Sequence, residues 1–342
     1  TSFFIDPSLQ HDIFIIFHLV LAGFGMYFLC KSLGFNAIAC LAGGLFWMFS
    51  PLGFAWMQFE FFLPLLAYLP WIFLLVKNLT VYLKTLEEKS SFKFLVNNLS
   101  TFFWLCFIQT MLILGSNIQL ALLGIAPAYI YLLIAIFNAK NQSYNRIEIT
   151  KSIFFSIKVF SYTSILTLCI SATTWLPILV FSSKTSRAVF SYSQFVDNAR
   201  TVKFESFWKN TSTHLPYPYI IEHLGQMTFV GLFASIFAII GFIYYPKTKE
   251  NLNTNFARII AATTLLVCTG TPLAWVVYKF IPGLQQLASL GRLLFLWTFA
   301  LCVLSAYGIY AISKTTMKYC EKIKINKSTT KYLTYGILSI IV

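Results

Sequence analysis

The sequence predicts an all-α, polytopic transmembrane protein of about ten spans. Two observations carry that prediction. Of its 342 residues 58% are hydrophobic and only 11% charged, with a mean hydropathy of +0.74, which is too apolar for a soluble core. Apolar runs long enough to cross a bilayer also recur along the whole chain, separated by short basic connections.

The predicted spans run from Asp12 to Cys30, Asn36 to Pro51, Phe61 to Val76, Leu95 to Leu114 and Ile118 to Phe137. They continue from Ile153 to Phe181, Met227 to Tyr245, Ile259 to Tyr278, Leu290 to Ile312 and Tyr332 to the end. The second and third are short and are joined by an aromatic turn, Leu52 to Glu60. Residues 1–342 read as a single transmembrane domain. Its one long polar run, Phe181 to Gly225, reads as an extracytoplasmic loop. Because the chain starts at Thr1 and stops inside an apolar run, it also reads as a piece of a longer protein.

Orientation follows from the basic residues, which concentrate in cytoplasmic loops. Alternate threading puts Lys31, Lys77 to Lys93, Lys140 to Lys151, Lys247 to Arg258 and Lys314 to Lys331 on that side. The net charge of +14 therefore reports topology, and the scatter of Lys and Arg among connections excludes a nucleic-acid patch. All four histidines and the acids Asp6, Asp12, Glu60, Asp197, Glu205 and Glu222 fall on or near the outer face. The seven cysteines form no CxxC pair, and none lies in the long loop, so they read as small core residues and not as disulfides. Ionisable residues at mid-depth are scarce, which argues against a proton- or ion-coupled pump, and Lys158 is close enough to its span end to snorkel.

Four features on the outer face bear chemistry. His11 and Asp12, with Asp6 before them and His18 after, suit a divalent ion or removal of a proton from a hydroxyl; Asp12 also suits a helix N-cap after an Asp6-Pro7-Ser8 turn. Glu60, between Phe59 and Phe61, needs a partner such as an Arg, a metal or a substrate hydroxyl, or else interfacial solvation. Gly115 to Gln119 forms a tight turn, with Gln119 at the head of a span. In the long loop Arg187, Arg200 and Lys203, joined by Arg292, offer the donor geometry of a phosphate or diphosphate site, or equally a belt on lipid headgroups.

Several segments then fall into a familiar order. Phe17-His18-Leu19, Gly23 through Gly34 and Ala42 to Pro51 and Pro64 resemble the early membrane part of the YfhO-like bacterial membrane proteins, within the GT-C glycosyltransferases. Gly115 with Gln119 is similar to that family's Gly-His-Pro-Gln turn, with Ser116 and Asn117 in place of His and Pro. Ser171-Ala172, Pro177 and Ser186-Arg187 resemble its stretch entering the outer loop, and Ile281-Pro282-Gly283, Gly291-Arg292 and Tyr307-Gly308 its later motifs.

The resemblance implies a GT-C-like fold in the bacterial inner membrane. It also implies sugar transfer from a polyprenyl-phosphate donor to a cell-envelope glycan, lipid or protein outside the cytoplasm. It further implies an essential acid in the first outer loop, a region this chain enters late, so that either the acid is missing from this chain or Asp6 or Asp12 is what remains of that region. On this reading Glu60 and Asp12 are the catalytic candidates. Arg187, Arg292, Arg200, Lys203 and Gln119 bind substrate, and a divalent metal is a candidate cofactor. A lipid-linked oligosaccharide flippase and a non-catalytic membrane scaffold are the rival readings.

Overall fold

The computed structural model describes residues 6–57, 59–83, 99–140, 146–182, 230–244, 251–269, 271–281 and 290–322, and all of its regular structure is helical. In chain order the helices are α1 (Pro7–Ser32), α2 (Ala37–Met48), α3 (Pro51–Trp56), α4 (Leu63–Leu83), α5 (Leu99–Gly115) and α6 (Ile118–Lys140). There follow α7 (Arg146–Ile170), α8 (Ala172–Ser182), α9 (Leu232–Ile243), α10 (Asn251–Cys268), α11 (Pro272–Phe280), a 3₁₀ turn (Leu290–Leu293) and α12 (Leu294–Lys322).

Five segments are long and apolar enough to cross a membrane, and two bent helix pairs bring the number to seven if each pair is one span. The remaining apolar helices, α5 and α9, are shorter. The predicted tenth span, Tyr332 to the end, and nearly all of the long loop lie outside the described residues. Large apolar side chains such as Ile16, Phe103 and Ile243 are exposed on the outside of the bundle, as lipid contact requires.

Helix ends explain most of the boundaries. Asp6 caps α1 by accepting from the Ser8 amide at 2.8 Å, and Pro7 occupies the first helical position, where no amide is needed. The helix thus begins ahead of Asp12, which is not its cap. At the other end Gly34 takes φ 86°, so that its amide meets Lys31 O and the Phe35 amide meets Cys30 O. Lys77 adds its ammonium to Ser32 O. Asn36 caps α2 and Ser50 caps α3, so the aromatic turn predicted from Leu52 is helical as far as Trp56.

Two predicted spans are broken. The span through Ile153 to Phe181 bends by 80° at Ser171. Ser171 keeps its own amide on Thr167 O at 3.0 Å, and the Trp175 indole donates to Leu168 O at 2.7 Å, satisfying a carbonyl that the bend exposes. The span through Ile259 to Tyr278 turns by 91° before Pro272. Thr271, held extended at ψ 167°, shows why: the residue before a proline is pushed out of the α region.

Within the bundle α12 is the most enclosed span, with 83% of its apolar window buried, and it packs on α2, α9 and α10. Its crossing with α9 is set by two glycines. A Cβ on Gly308 would lie 2.1 Å from Phe237 O, and one on Gly241 would lie 2.1 Å from Leu304 O, so the backbones touch only because neither residue has a side chain. Beside this crossing Ser305 donates to Ala234 O at 2.6 Å, while Arg258 holds the end of α9 through Gly241 O and Tyr244 O at 2.9 and 2.6 Å.

The α1–α2–α4 group is fastened differently. Pro70 inside α4 has no amide, which leaves Leu66 O without its intrahelical donor. The buried Trp47 indole donates to that oxygen at 2.9 Å. One turn away Trp71 donates to Leu21 O at 2.9 Å, passing so close to α1 that a Cβ on Gly25 would meet its nitrogen at 2.5 Å.

Trp47→Phe removes the donor from Leu66 O and is expected to cost about 1–3 kcal/mol. In a Pro70→Ala background, where the restored amide serves Leu66 O, the loss should shrink, as a double-mutant cycle on unfolding in detergent would read. Gly308→Ala is expected to cost about 3 kcal/mol by forcing α9 off α12, seen as a lowered melting temperature.

Candidate functional site at the Glu60 end of the bundle

The turn after α3 is built on aromatic stacking. The Phe59 amide bonds Trp56 O and the Phe62 amide bonds Phe59 O, both at 2.9 Å. Trp56 and Phe62 stack at 4.9 Å between centroids, and both are buried. With Phe62 anchored inward, the neighbouring Glu60 projects from the end of the bundle, its side chain 61% exposed.

Three other segments meet this turn. His11, in the second turn of α1, places Nδ1 2.6 Å from Glu60 Oε1. The Asn117 amide donates to Phe61 O at 3.3 Å, and Gly115 packs on Pro64, which joins the predicted tight turn to that after α3. Arg292, from the 3₁₀ turn ahead of α12, sets its guanidinium 5.7 Å from the Phe62 ring centroid.

An ionised carboxylate only accepts, so opposite it the imidazole donates Nδ1–H to Glu60, and among the described residues Nε2 makes no hydrogen bond. The Glu60–His11 pair and the Arg292 guanidinium thus reach one short turn at different residues, the pair at Glu60 and the guanidinium at Phe62. That set can take a proton from a hydroxyl at Nε2 and hold an anion on Arg292. Asp6 adds a carboxylate at the start of α1, and the Ser8 hydroxyl and amide hold its pKa below the usual carboxylate range.

The predicted residues are distributed unevenly around this centre. Arg292 approaches the turn that carries Glu60, and among the described residues Glu60 pairs with His11. Asp12 follows His11 on α1 and is exposed. Gln119 lies in the first turn of α6, where Asn117 caps the helix by accepting from the Gln119 amide at 3.1 Å, and its side chain is half-buried. Arg187, Arg200 and Lys203 fall outside the described residues. His18 is inside the bundle instead of at its mouth: Nδ1 donates to Phe14 O at 2.8 Å and the ring packs on Tyr68. Among the described residues no group of three or more His, Cys, Asp or Glu is arranged for a metal ion.

A second polar cluster was not anticipated. Gln109 donates to the Tyr129 hydroxyl at 2.8 Å, that hydroxyl meets Thr163 Oγ1 at 2.8 Å, and Thr167 donates to Gln109 Oε1 at 3.3 Å. All four are buried, and each is satisfied by another across α5, α6 and α7, so the cluster fastens helices. Polar residues within apolar spans were its visible signal.

Together the apolar helices and the polar end define a polytopic helical protein of membrane-spanning type. Compared with known proteins, the chain matches no family model, no curated protein and no solved structure.

His11→Ala and Glu60→Gln should couple by about 0.5 kcal/mol in a double-mutant cycle on thermal stability, since both side chains are substantially exposed. The capping contribution of Asp6, whose pKa is lowered on folding, is fully present above the usual carboxylate range and is lost as pH falls through its folded value. Amide exchange in the first turn of α1 should therefore speed up on acidification, and Asp6→Asn should remove that pH dependence.

Proposed function

We propose that this chain forms the membrane domain of a GT-C type glycosyltransferase that moves a sugar from a polyprenyl-phosphate donor to a cell-envelope acceptor. It acts outside the cytoplasm from the bacterial inner membrane. The observation that carries the reading is the 2.6 Å pairing of His11 with Glu60 at the end of an apolar bundle, on the turn that Arg292 also approaches. The ordered resemblance of the chain to YfhO-like proteins supports the choice of substrate.

In this mechanism Glu60 orients the imidazole through Nδ1 and stabilises it when charged, while His11 Nε2 takes the proton from the acceptor hydroxyl. The acceptor oxygen forms a bond to the anomeric carbon as the bond from that carbon to the phosphate oxygen breaks. The leaving phosphate carries away the electron pair and is held by Arg292, with Arg187, Arg200 and Lys203 of the long loop contributing further cations. Gln119 binds the sugar, Asp12 adds negative charge beside the base, and the polyprenyl tail lies along the apolar spans.

The test is sugar transfer from a polyprenyl-phosphate donor by protein reconstituted in vesicles. Glu60→Gln and His11→Ala should each lower kcat about 100-fold or more, and Arg292→Ala should weaken donor binding. Wild-type rates in all three variants would remove the site. Transbilayer movement of the lipid-linked sugar without transfer would favour the flippase, and neither activity would favour the scaffold.

A further inference from the structure

We propose that the groove between α5 and α7 holds the acyl tail of an anionic phospholipid whose phosphate rests on Lys158. The groove has a volume of about 1170 Å³, somewhat above the usual range for small-molecule sites. Phe102, Phe103, Phe107, Leu166 and Ile170 give it hydrocarbon walls, and among the described residues Lys158 is the one cation lining it.

Its polarity runs along the helices. Cys106 meets Thr163 O, and Gln109 meets Thr167, at sequence separations of 57 and 58, so α5 and α7 run parallel. Carried along both helices, this offset sets Lys158 beside Ser100, in the first turn of α5. From Lys158 to Ile170 the groove extends about 18 Å at 1.5 Å per residue. That is close to one leaflet, half of a hydrocarbon layer about 30 Å thick. The charge therefore sits where a headgroup belongs, with the apolar length below it. Tyr162 follows one turn deeper, about 6 Å along, with its ring exposed at the depth of the glycerol esters.

Lys158 is itself exposed. Its ammonium lies 4.6 Å from the centre of the Phe154 ring, and among the described residues no carboxylate pairs with it. A lipid phosphate completes it, whereas a zwitterionic choline headgroup brings a second cation to the same place. The other end of the groove is lined by Thr110, Met111 and Ile170, which suits a tail and not a second headgroup. This site does not depend on the sugar-transfer reading and lies away from His11 and Glu60.

The experiment exposes the whole protein to vesicles of equal parts phosphatidylglycerol and phosphatidylcholine, extracts it in neutral detergent and counts retained lipids by native mass spectrometry. The expected result is about a fivefold preference for phosphatidylglycerol, lost in Lys158→Gln and kept in Lys31→Gln, a control at the same end of the bundle. Thr110→Phe, which fills the tail end, should reduce retention of both lipids, and soluble glycerol phosphate should not compete. Melting in lipid-free detergent checks folding, and if Thr110→Phe fails to fold, Leu166→Trp takes its place. A preference that survives Lys158→Gln, or that falls equally in Lys31→Gln, overturns the site. So does full lipid retention with the groove filled.

Discussion

The structure depends on satisfying every backbone polar group inside an apolar bundle where water is not available to do it. The bond from Trp47 to Leu66 O is the clearest instance. Pro70 removes an amide from α4 in the middle of the core, and an indole from a neighbouring helix restores the missing donor. The helix keeps its path, and α2 is tied to α4 at a defined height. Trp175 does the same for Leu168 O at the bend between α7 and α8. Irregular backbone persists where a long side chain can reach it.

Close approach of backbones is the complementary device. Gly241 and Gly308 let α9 and α12 meet, and Gly25 admits the Trp71 ring to α1. Hydrophobic burial offers little distinction between a neighbouring helix and a lipid tail, so the arrangement of helices rests on shape and a few interhelical hydrogen bonds. Ser305, Arg258 and the Gln109–Tyr129–Thr163–Thr167 cluster provide those bonds at three separate places.

This frame gives the Glu60 end its chemistry. The turn carrying Glu60 is short and is held between two buried, stacked rings, Trp56 before it and Phe62 after it, so the carboxylate is displayed from a rigid support. His11 comes from α1 and Arg292 from the 3₁₀ turn that leads into α12, and both helices are held in place by contacts far from the Glu60 turn. The opposite end is closed by carbonyl-capping cations, Lys77 on Ser32 and Arg258 on α9. Among the described residues the two ends differ in kind: cations that complete helices at one, and a paired carboxylate and imidazole at the other.

The sequence by itself determined the helical class, the approximate place of most apolar segments and the polar character of the Glu60 turn. These follow from composition and from runs of apolar residues, which are local properties. It places the start of a span at Asn36, which caps α2, but Asp6-Pro7-Ser8 reads in it as a turn ahead of a cap at Asp12, whereas the helix starts at Pro7 with Asp6 as its cap. Only the tertiary structure decided that Glu60 pairs with His11, 49 residues away, and that Trp47 serves the carbonyl freed by Pro70. It also decided that His18 turns inward and that two apparent spans are bent. Those outcomes depend on which helices become neighbours and at what height, and an almost uniformly apolar sequence encodes that through single glycines, prolines and indoles instead of a repeating pattern.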